Sequence, residues 1–265
     1  KRDNIESSAI SAAFSLGDVG YISVSTFSKP VASEFYSSYK ALGDIECLIV
    51  DLRDNAGGAI TSAIDLTGLF LRKGDVIVST EGRGNTTIYD KKKDGPLLDI
   101  PLVVLINENS ASASEIFAGA IQDHDRGVVV GHTSFGKGLV QTQISFADGS
   151  AVRLTVARYY TPTGRSIQKP YTAGDEMAYH MEIFDRYMHN EFFSADSIHF
   201  DESLKFTTPG GRTVYGGGGI MPDIFIPMDT VGITRYYTKI WDSNTLYRYT
   251  LRYADRHREA LDKVT

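Results

Sequence analysis

Residues 101–141 read PLVVLINENSASASEIFAGAIQDHDRGVVVGHTSFGKGLVQ. The apolar run 101–106 ends in a Ser-rich turn, a helical pattern follows over 112–122, and 127–130 is apolar again. Lys137 then stands between Gly136 and Gly138. The periodicity predicts strand, turn, helix and strand, the order of an α/β unit with parallel pairing. It can present a serine from the turn and the lysine to each other.

Working outward, residues 20–25 alternate and predict a strand. A helix opens at Ser28-Lys29-Pro30 and runs to Gly43, with Val31, Phe35, Tyr39 and Leu42 at helical spacing. Residues 46–52 form an apolar strand that a sheet covered on both faces would bury. Arg53–Gly58 closes it, and 60–71 is a helical pattern. Residues 75–80 predict a strand and 81–93 a hairpin or loop. Strands at 139–146 and 151–160 flank the turn residues Asp148-Gly149. Residues 1–16 show no clear period, with a strand expected only at the very start. After Thr161–Gly164 the character changes. A helix over 175–190 carries Met177, Met181, Phe184 and Met188 on one face, expected to pack on the core as an insertion. A glycine-dense stretch (210–219), a last strand (220–227) and a closing helix follow. Asp242–Asn244 would cap that helix, Leu246, Tyr249 and Tyr253 would face inward, and its pattern runs nearly to Thr265.

The 265 residues suffice for a sizeable core. A net charge of −6, with Lys91–Lys93 the only basic run, excludes an electrostatic footprint for nucleic acid. The apolar runs are too short for a transmembrane segment. Cys47, the single cysteine, permits no internal disulfide and reads as a buried, inert thiol. The chain begins at Lys1, and no signal-peptide pattern precedes it, so a fragment or processed form is expected.

Three serines, Ser110, Ser112 and Ser114, compete for a chemical role. Ser112 with Glu115 has the S-x-x-E spacing of a helix capping box. A serine at a strand-to-helix turn is equally where the α/β-hydrolase nucleophile sits. Both readings stand on the residues alone. Lys137 adds a base. A solvated lysine has a pKa near ~10.4, burial can lower it by roughly 3–5 units, and Phe135 and Leu139 are apolar neighbours. A neutral lysine can take a serine proton, as histidine does in the Ser-His-Asp triad. The Gly57-Gly58 turn between strand and helix can bare backbone N–H groups toward an anion, though a tight turn alone also needs such glycines.

Rival readings fail in places. Gly131–Gly138 nearly matches the phosphate loop G-x-x-x-x-G-K-[ST], but Gly138 lacks the hydroxyl and a strand follows instead of a helix. His124 and His132 are alternative bases, with Asp123 or Asp125 as orienting partners. His124, however, reads more simply as a charge at a helix end. His180, Glu182, Asp185 and His189 lack any zinc-type spacing, so no metal site is expected.

The segments LRDNAGG (52–58), SASASEI (110–116) and FGKGLVQ (135–141), in this order, resemble the carboxyl-terminal processing peptidases, or tail-specific proteases. DGSAVRLTVARYYTPTGRSIQ (148–168) and GIMPDI (219–224) extend the resemblance, which covers 20–168 closely. Asp54 and Ala56 depart from it, standing where that family usually has Asn and Pro. The resemblance implies a crotonase-like α/β core, with a mixed, largely parallel sheet, flanking helices, an inserted helical segment and a C-terminal helix. It implies one peptidase core over 1–265, with the insertion at about 170–212 and the C-terminal segment at about 230–265. A PDZ domain is expected upstream, residues 1–6 resembling the strand that leaves it.

The resemblance also implies a serine endopeptidase that cuts near protein C-termini through an acyl-enzyme. Its Ser-Lys dyad falls on Ser112 and Lys137, the lysine-orienting glutamine on Gln141, and the oxyanion donors on the N–H groups of Gly58 and Ala113. A straight strand would leave Lys137 and Gln141 about 13 Å apart, so their contact requires a bend that Gly138 permits. No cofactor is implied. Partners would be proteins or peptides with accessible C-termini, an adaptor or the PDZ domain. The location would be exported, in a bacterial periplasm or cell envelope. A non-catalytic peptide-binding scaffold is the alternative.

Overall fold

The structure, a computed structural model, describes residues 8–261 apart from Ala173 and Gly232. It divides into two compact units, Lys1–Pro227 and Met228–Thr265. The strand expected at 1–6 lies outside the described residues.

The first unit begins β1 (Ile10–Leu16), β2 (Val19–Val24), α1 (Val31–Ala41), β3 (Cys47–Asp51), α2 (Ile60–Thr67), β4 (Val76–Gly82) and β5 (Asn85–Asp90). It continues β6 (Leu102–Ile106), α3 (Ala113–Asp123), β7 (Val128–Gly131), β8 (Leu139–Ser145), β9 (Ala151–Tyr160) and α4 (Glu176–Met188). It closes with β10 (Lys205–Thr207), β11 (Thr213–Tyr215) and β12 (Ile224–Phe225).

Six strands form a sheet in the order β1-β2-β3-β6-β7-β12. The first pair is antiparallel and the others are parallel. Parallel neighbours need crossovers, which α1 supplies between β2 and β3 and α3 between β6 and β7. The apolar runs of the central strands bury Leu48, Val50, Val104 and Ile106. Phe70 meets Phe35 of α1 and Phe117 of α3 edge-on, with ring centroids 5.8 and 5.7 Å apart. Such contacts add about 0.5–1.5 kcal/mol each beyond area burial. Every residue of α3 is buried, its polar Ser114, Glu115, Gln122 and Asp123 each bonded to neighbouring segments.

The hairpins β4–β5 and β8–β9 build a second, antiparallel sheet in the order β5-β4-β9-β8. Tight turns at Arg83-Gly84 and Asp148-Gly149 fix antiparallel neighbours, which keeps these strands out of the parallel sheet.

Several expectations are corrected. The stretch without clear period contains β1, which pairs with β2. Helix α2 stops at Thr67 rather than at residue 71, with Gly68 as its C-cap. The last strand shrinks to two residues, because Ile220 bonds instead to Ser134. Cys47 is half-buried, not buried. The methionine face of α4 points to solvent, Met177 being 74% and Met188 62% exposed. The packed face carries Tyr179, Glu182, Ile183 and Arg186, because the core offers it a lysine, two carbonyls and aromatic rings.

The second unit holds α5 (Arg235–Asp242), α6 (Thr245–Arg256) and α7 (Arg258–Leu261) rather than one closing helix. Asn244, in the left-handed region at φ 52°, breaks the chain between α5 and α6 and makes no side-chain cap hydrogen bond. Leu246, Tyr249 and Tyr253 are exposed, contrary to the inward reading, because neither α5 nor α6 has a buried residue to meet them.

Candidate active site

The three serines of the turn before α3 differ in burial. Ser110 is fully buried and donates to the Leu52 carbonyl at 2.7 Å. Ser114 is fully buried and donates to the Asn55 carbonyl at 2.8 Å. Both hydroxyls bind this turn to the turn after β3. Ser112 alone of the three is half-buried and lines a cavity. Its backbone is strained for a residue with a side chain, at φ 57° and ψ −111°.

The opposing turn after β3 is held by Asn55, which is 0% exposed. Its Nδ2 donates to the Val24 carbonyl at 2.7 Å, its Oδ1 accepts from Gly57 N–H at 2.8 Å, and its carbonyl accepts from Ala111 N–H. Asp51 anchors the same turn. It accepts from Arg53 Nε, Nη2 and backbone N–H and from the Tyr21 hydroxyl at 2.6 Å. Burial raises the Asp51 carboxyl, but these donors outweigh it and hold the pKa below the ordinary carboxylate value. Gly57 has φ +101°, and a Cβ there would lie 2.6 Å from the Ala111 carbonyl and 2.9 Å from Ala113 N. Gly57→Ala is therefore expected to push the two turns apart. Displacements of about 1 Å cost on the order of 10²-fold in rate, so kcat/KM should fall by about that factor in a steady-state peptide assay. An unchanged value would show that the close approach is dispensable.

The loop carrying Lys137 is fastened by one carboxylate. Glu115 is 0% exposed. Its Oε2 accepts from Ser112 N–H at 2.7 Å and Lys137 N–H at 2.9 Å. Its Oε1 accepts from Ser134 Oγ at 2.6 Å and Gly136 N–H at 2.7 Å. The Tyr159 hydroxyl, from β9, adds a second link, lying 3.0 Å from the Ser112 carbonyl and 2.7 Å from that of Lys137. Burial pushes the Tyr159 pKa well up, so it keeps its proton. Serine turn and lysine loop are thus one hydrogen-bonded body.

A cavity of about 570 Å³ is lined by Gly58, Ser112, Ala113, Lys137 and Gln141 together. Ala113 is the first residue of α3, where backbone N–H groups lack intrahelical partners. Gly58 N–H finds no backbone acceptor among the described residues. Lys137 precedes β8, and the register of β8 against β9 shifts between Val140 and Gln141. Gln141 reaches this cavity but makes no hydrogen bond to Lys137 among the described residues; its strand neighbour is Thr155.

His124 Nε2 lies 2.7 Å from the Val76 carbonyl, and His132 Nδ1 lies 3.0 Å from Glu108 Oε2. Neither lines the cavity of Ser112. Glu182 is taken by Lys169, and no group of three or more metal-ligating side chains converges among the described residues.

The sequence profile described as peptidase family S41 matches residues 18–177, more than half of the chain. The chain belongs to peptidase family S41. Relatives include the carboxy-terminal-processing protease of Bartonella bacilliformis, 44% identical over 160 residues, covering 57% of this chain and 37% of that protein. The chloroplastic C-terminal processing peptidase of Tetradesmus obliquus is 35% identical over 170 residues, covering 63% of this chain and 36% of that protein. The solved photosystem II D1 C-terminal processing protease is 34% identical, with a TM-score of 0.52, covering 61% of this chain and 44% of that one. The chain thus spans little more than a third of the length of the two curated relatives.

Within this S41 chain, Asn55, Ser134 and Tyr159 are site-building residues that the motif reading passed over. Tyr159 lies inside the resembling segment 148–168, but nothing in its spacing tells that its hydroxyl reaches two carbonyls. Asn55 sits in the glycine turn, where its burial alone distinguishes it from an ordinary turn asparagine. Glu115 was legible only as a capping residue.

Proposed function

We propose that this S41 chain is the catalytic core of a serine endopeptidase that cleaves proteins near their C-termini. The observation that carries the reading is the single cavity lined by Ser112, Lys137, Gly58 and Ala113, in a turn whose other two serines are buried and bonded. Ser112 Oγ attacks the scissile carbonyl carbon, and Lys137 Nζ accepts its proton. The carbonyl oxygen becomes an oxyanion that accepts hydrogen bonds from Gly58 and Ala113 N–H. Collapse breaks the C–N bond, Lys137 returns the proton to the leaving amine, and water then hydrolyses the acyl-serine with Lys137 as base. Gln141, which lines the same cavity, orients the lysine. The chemistry needs no cofactor.

β8 is an edge of its sheet, and its first three residues line the cavity. An extended peptide can pair with that edge through its main chain, which suits substrates of varied sequence. In this reading the core is crotonase-like, residues of about 170–212 form an insertion, and a PDZ domain or adaptor delivers the C-terminus. The protein acts after export, in the periplasm or cell envelope; no described helix is long and apolar enough to cross a membrane.

A fluorophosphonate probe tests the reading. Labelling of the full-length protein is expected at Ser112, located by peptide mass spectrometry, and chelators should leave it unchanged. Labelling at another serine, or none, would return the chain to the scaffold alternative.

A further inference from the structure

Helix α4 lies almost wholly beyond the S41 match, which ends at residue 177, yet it helps to wall a cleft at Lys137. This second cavity, of about 1030 Å³, shares Ala56, Lys137, Leu139 and Gln141 with the cavity of Ser112. The two adjoin at these four residues. Phe135, Tyr171 and Tyr179 form an aromatic corner in it. The Tyr179 ring meets Phe135 at 6.1 Å and Tyr171 at 5.7 Å, both edge-on.

We propose that this aromatic corner is a specificity subsite, supplied in part by α4, which receives a large apolar side chain next to the scissile bond. The proposal rests on the endopeptidase reading. Adjacency to the Ser112 cavity supports it, since both cavities are lined by Lys137 and a peptide whose carbonyl sits at Ser112 places a neighbouring residue beside that lysine. Electrostatics support it too. Lys169 Nζ lies over the rings of Phe135 and Tyr179, at 4.1 and 4.5 Å, and is already paired with Glu182 at 2.8 Å. The charge behind the rings is therefore spent. Glu81, Arg83 and Arg158 also line the cavity, and their mixed signs favour no single substrate charge.

The wall is built, not merely adjacent. Arg186 of α4 donates to the carbonyls of Thr133 and Ser134, in the loop leading to Lys137. Lys169 N–H donates to the Gly136 carbonyl and Gln168 Oε1 accepts from Gly138 N–H, so the residues leading into α4 grip both glycines beside the lysine. Aromatic corner and catalytic loop hold a fixed relation, the condition for a subsite that discriminates instead of adapting.

The test uses the full-length protein and quenched-fluorescence peptides that differ only beside the scissile bond, in Ala, Leu, Phe or Asp. The wild type is expected to favour Phe and Leu over Ala and Asp by about 10-fold or more in kcat/KM, the range a hydrophobic pocket can supply. Tyr179→Ala should lower the Phe-to-Ala ratio about 10-fold, and Tyr171→Ala, at an exposed position, should lower it in the same direction. The ratio cancels any loss of folded enzyme, so a merely structural role would not move it. An unchanged ratio in both variants, or a wild type without the preference, overturns the subsite while leaving the peptidase. No cleavage of any peptide together with no fluorophosphonate labelling overturns both.

Discussion

Ser112→Ala and Lys137→Ala are each expected to lower kcat by about 10⁴-fold or more, and the double variant should fall no further, because residues that act as one unit lose nearly everything with the first member. The physical reason lies in how few groups share the cavity. Neither histidine flanking the motif lines it, so no second base stands ready when Lys137 is removed. Ser110 and Ser114 cannot replace Ser112, since both hydroxyls are buried and committed to carbonyls across the turn. The lysine side chain can be deleted with little harm to the fold, because its loop is fixed through backbone N–H groups by Glu115 and Gln168. Circular dichroism and melting temperature of Lys137→Ala should therefore match the wild type. Small primary amines should partly restore its rate, in proportion to amine concentration, and should not restore the double variant. Full activity in Lys137→Ala would remove the dyad from the mechanism.

The sequence disclosed this site unevenly, for physical reasons that individual residues make plain. Strands β3 and β6 were readable because a sheet covered on both faces leaves near-continuous apolar runs. The second sheet was not, although its β8–β9 hairpin was, because nothing local tells Ser79 to pair with Tyr160 across the chain. The buried face of α4 is hidden from the sequence for a related reason. Methionines at helical spacing look like a core stripe, but the core beneath α4 offers Lys169 and two carbonyls, so Glu182 and Arg186 turn inward. Ser112 and Lys137 stood out through their glycines and motif context. Asn55 and Tyr159 did not, since their roles are long-range hydrogen bonds to backbone atoms of other segments. Glu115 is the instructive case. Read along the chain it completes a capping box, and in space the same carboxylate also holds the lysine loop.

Removing that carboxylate is the other change with a large expected effect. Glu115→Ala leaves four donors, on Ser112, Ser134, Gly136 and Lys137, without their fully buried acceptor. Each unsatisfied buried group costs about 1–3 kcal/mol. Some can be met by water entering the space, so a total on the order of 3–5 kcal/mol is expected. Activity should fall further than stability alone requires, by about 10²-fold or more in kcat at temperatures where the variant is folded. Ser112 N–H is among the bonds that hold its strained φ of 57°, and without it the turn can relax away from Lys137. Glu115→Gln separates the contributions. Its carbonyl oxygen can serve Ser112 and Lys137 N–H, while its amide can donate to Ser134 Oγ but must face Gly136 N–H, donor against donor. Gly136 N–H and the Ser134 hydroxyl proton both lose their acceptor, which predicts a loss of about 1–3 kcal/mol for each that finds no other partner, and partial activity.

A pH signature accompanies it. Burial pushes the Glu115 pKa above the ordinary carboxylate value even against its four donors, so the folded state binds the proton more tightly than the unfolded chain does. The wild type's stability advantage over Glu115→Gln should be largest below the ordinary carboxylate pKa. It should shrink as pH rises through the raised pKa, and stay level beyond it. Urea unfolding of both proteins across that range, with kcat measured on each, decides the matter. Equal stability and equal kcat in wild type and Glu115→Ala would show that the serine turn and lysine loop hold their places without the carboxylate that joins them.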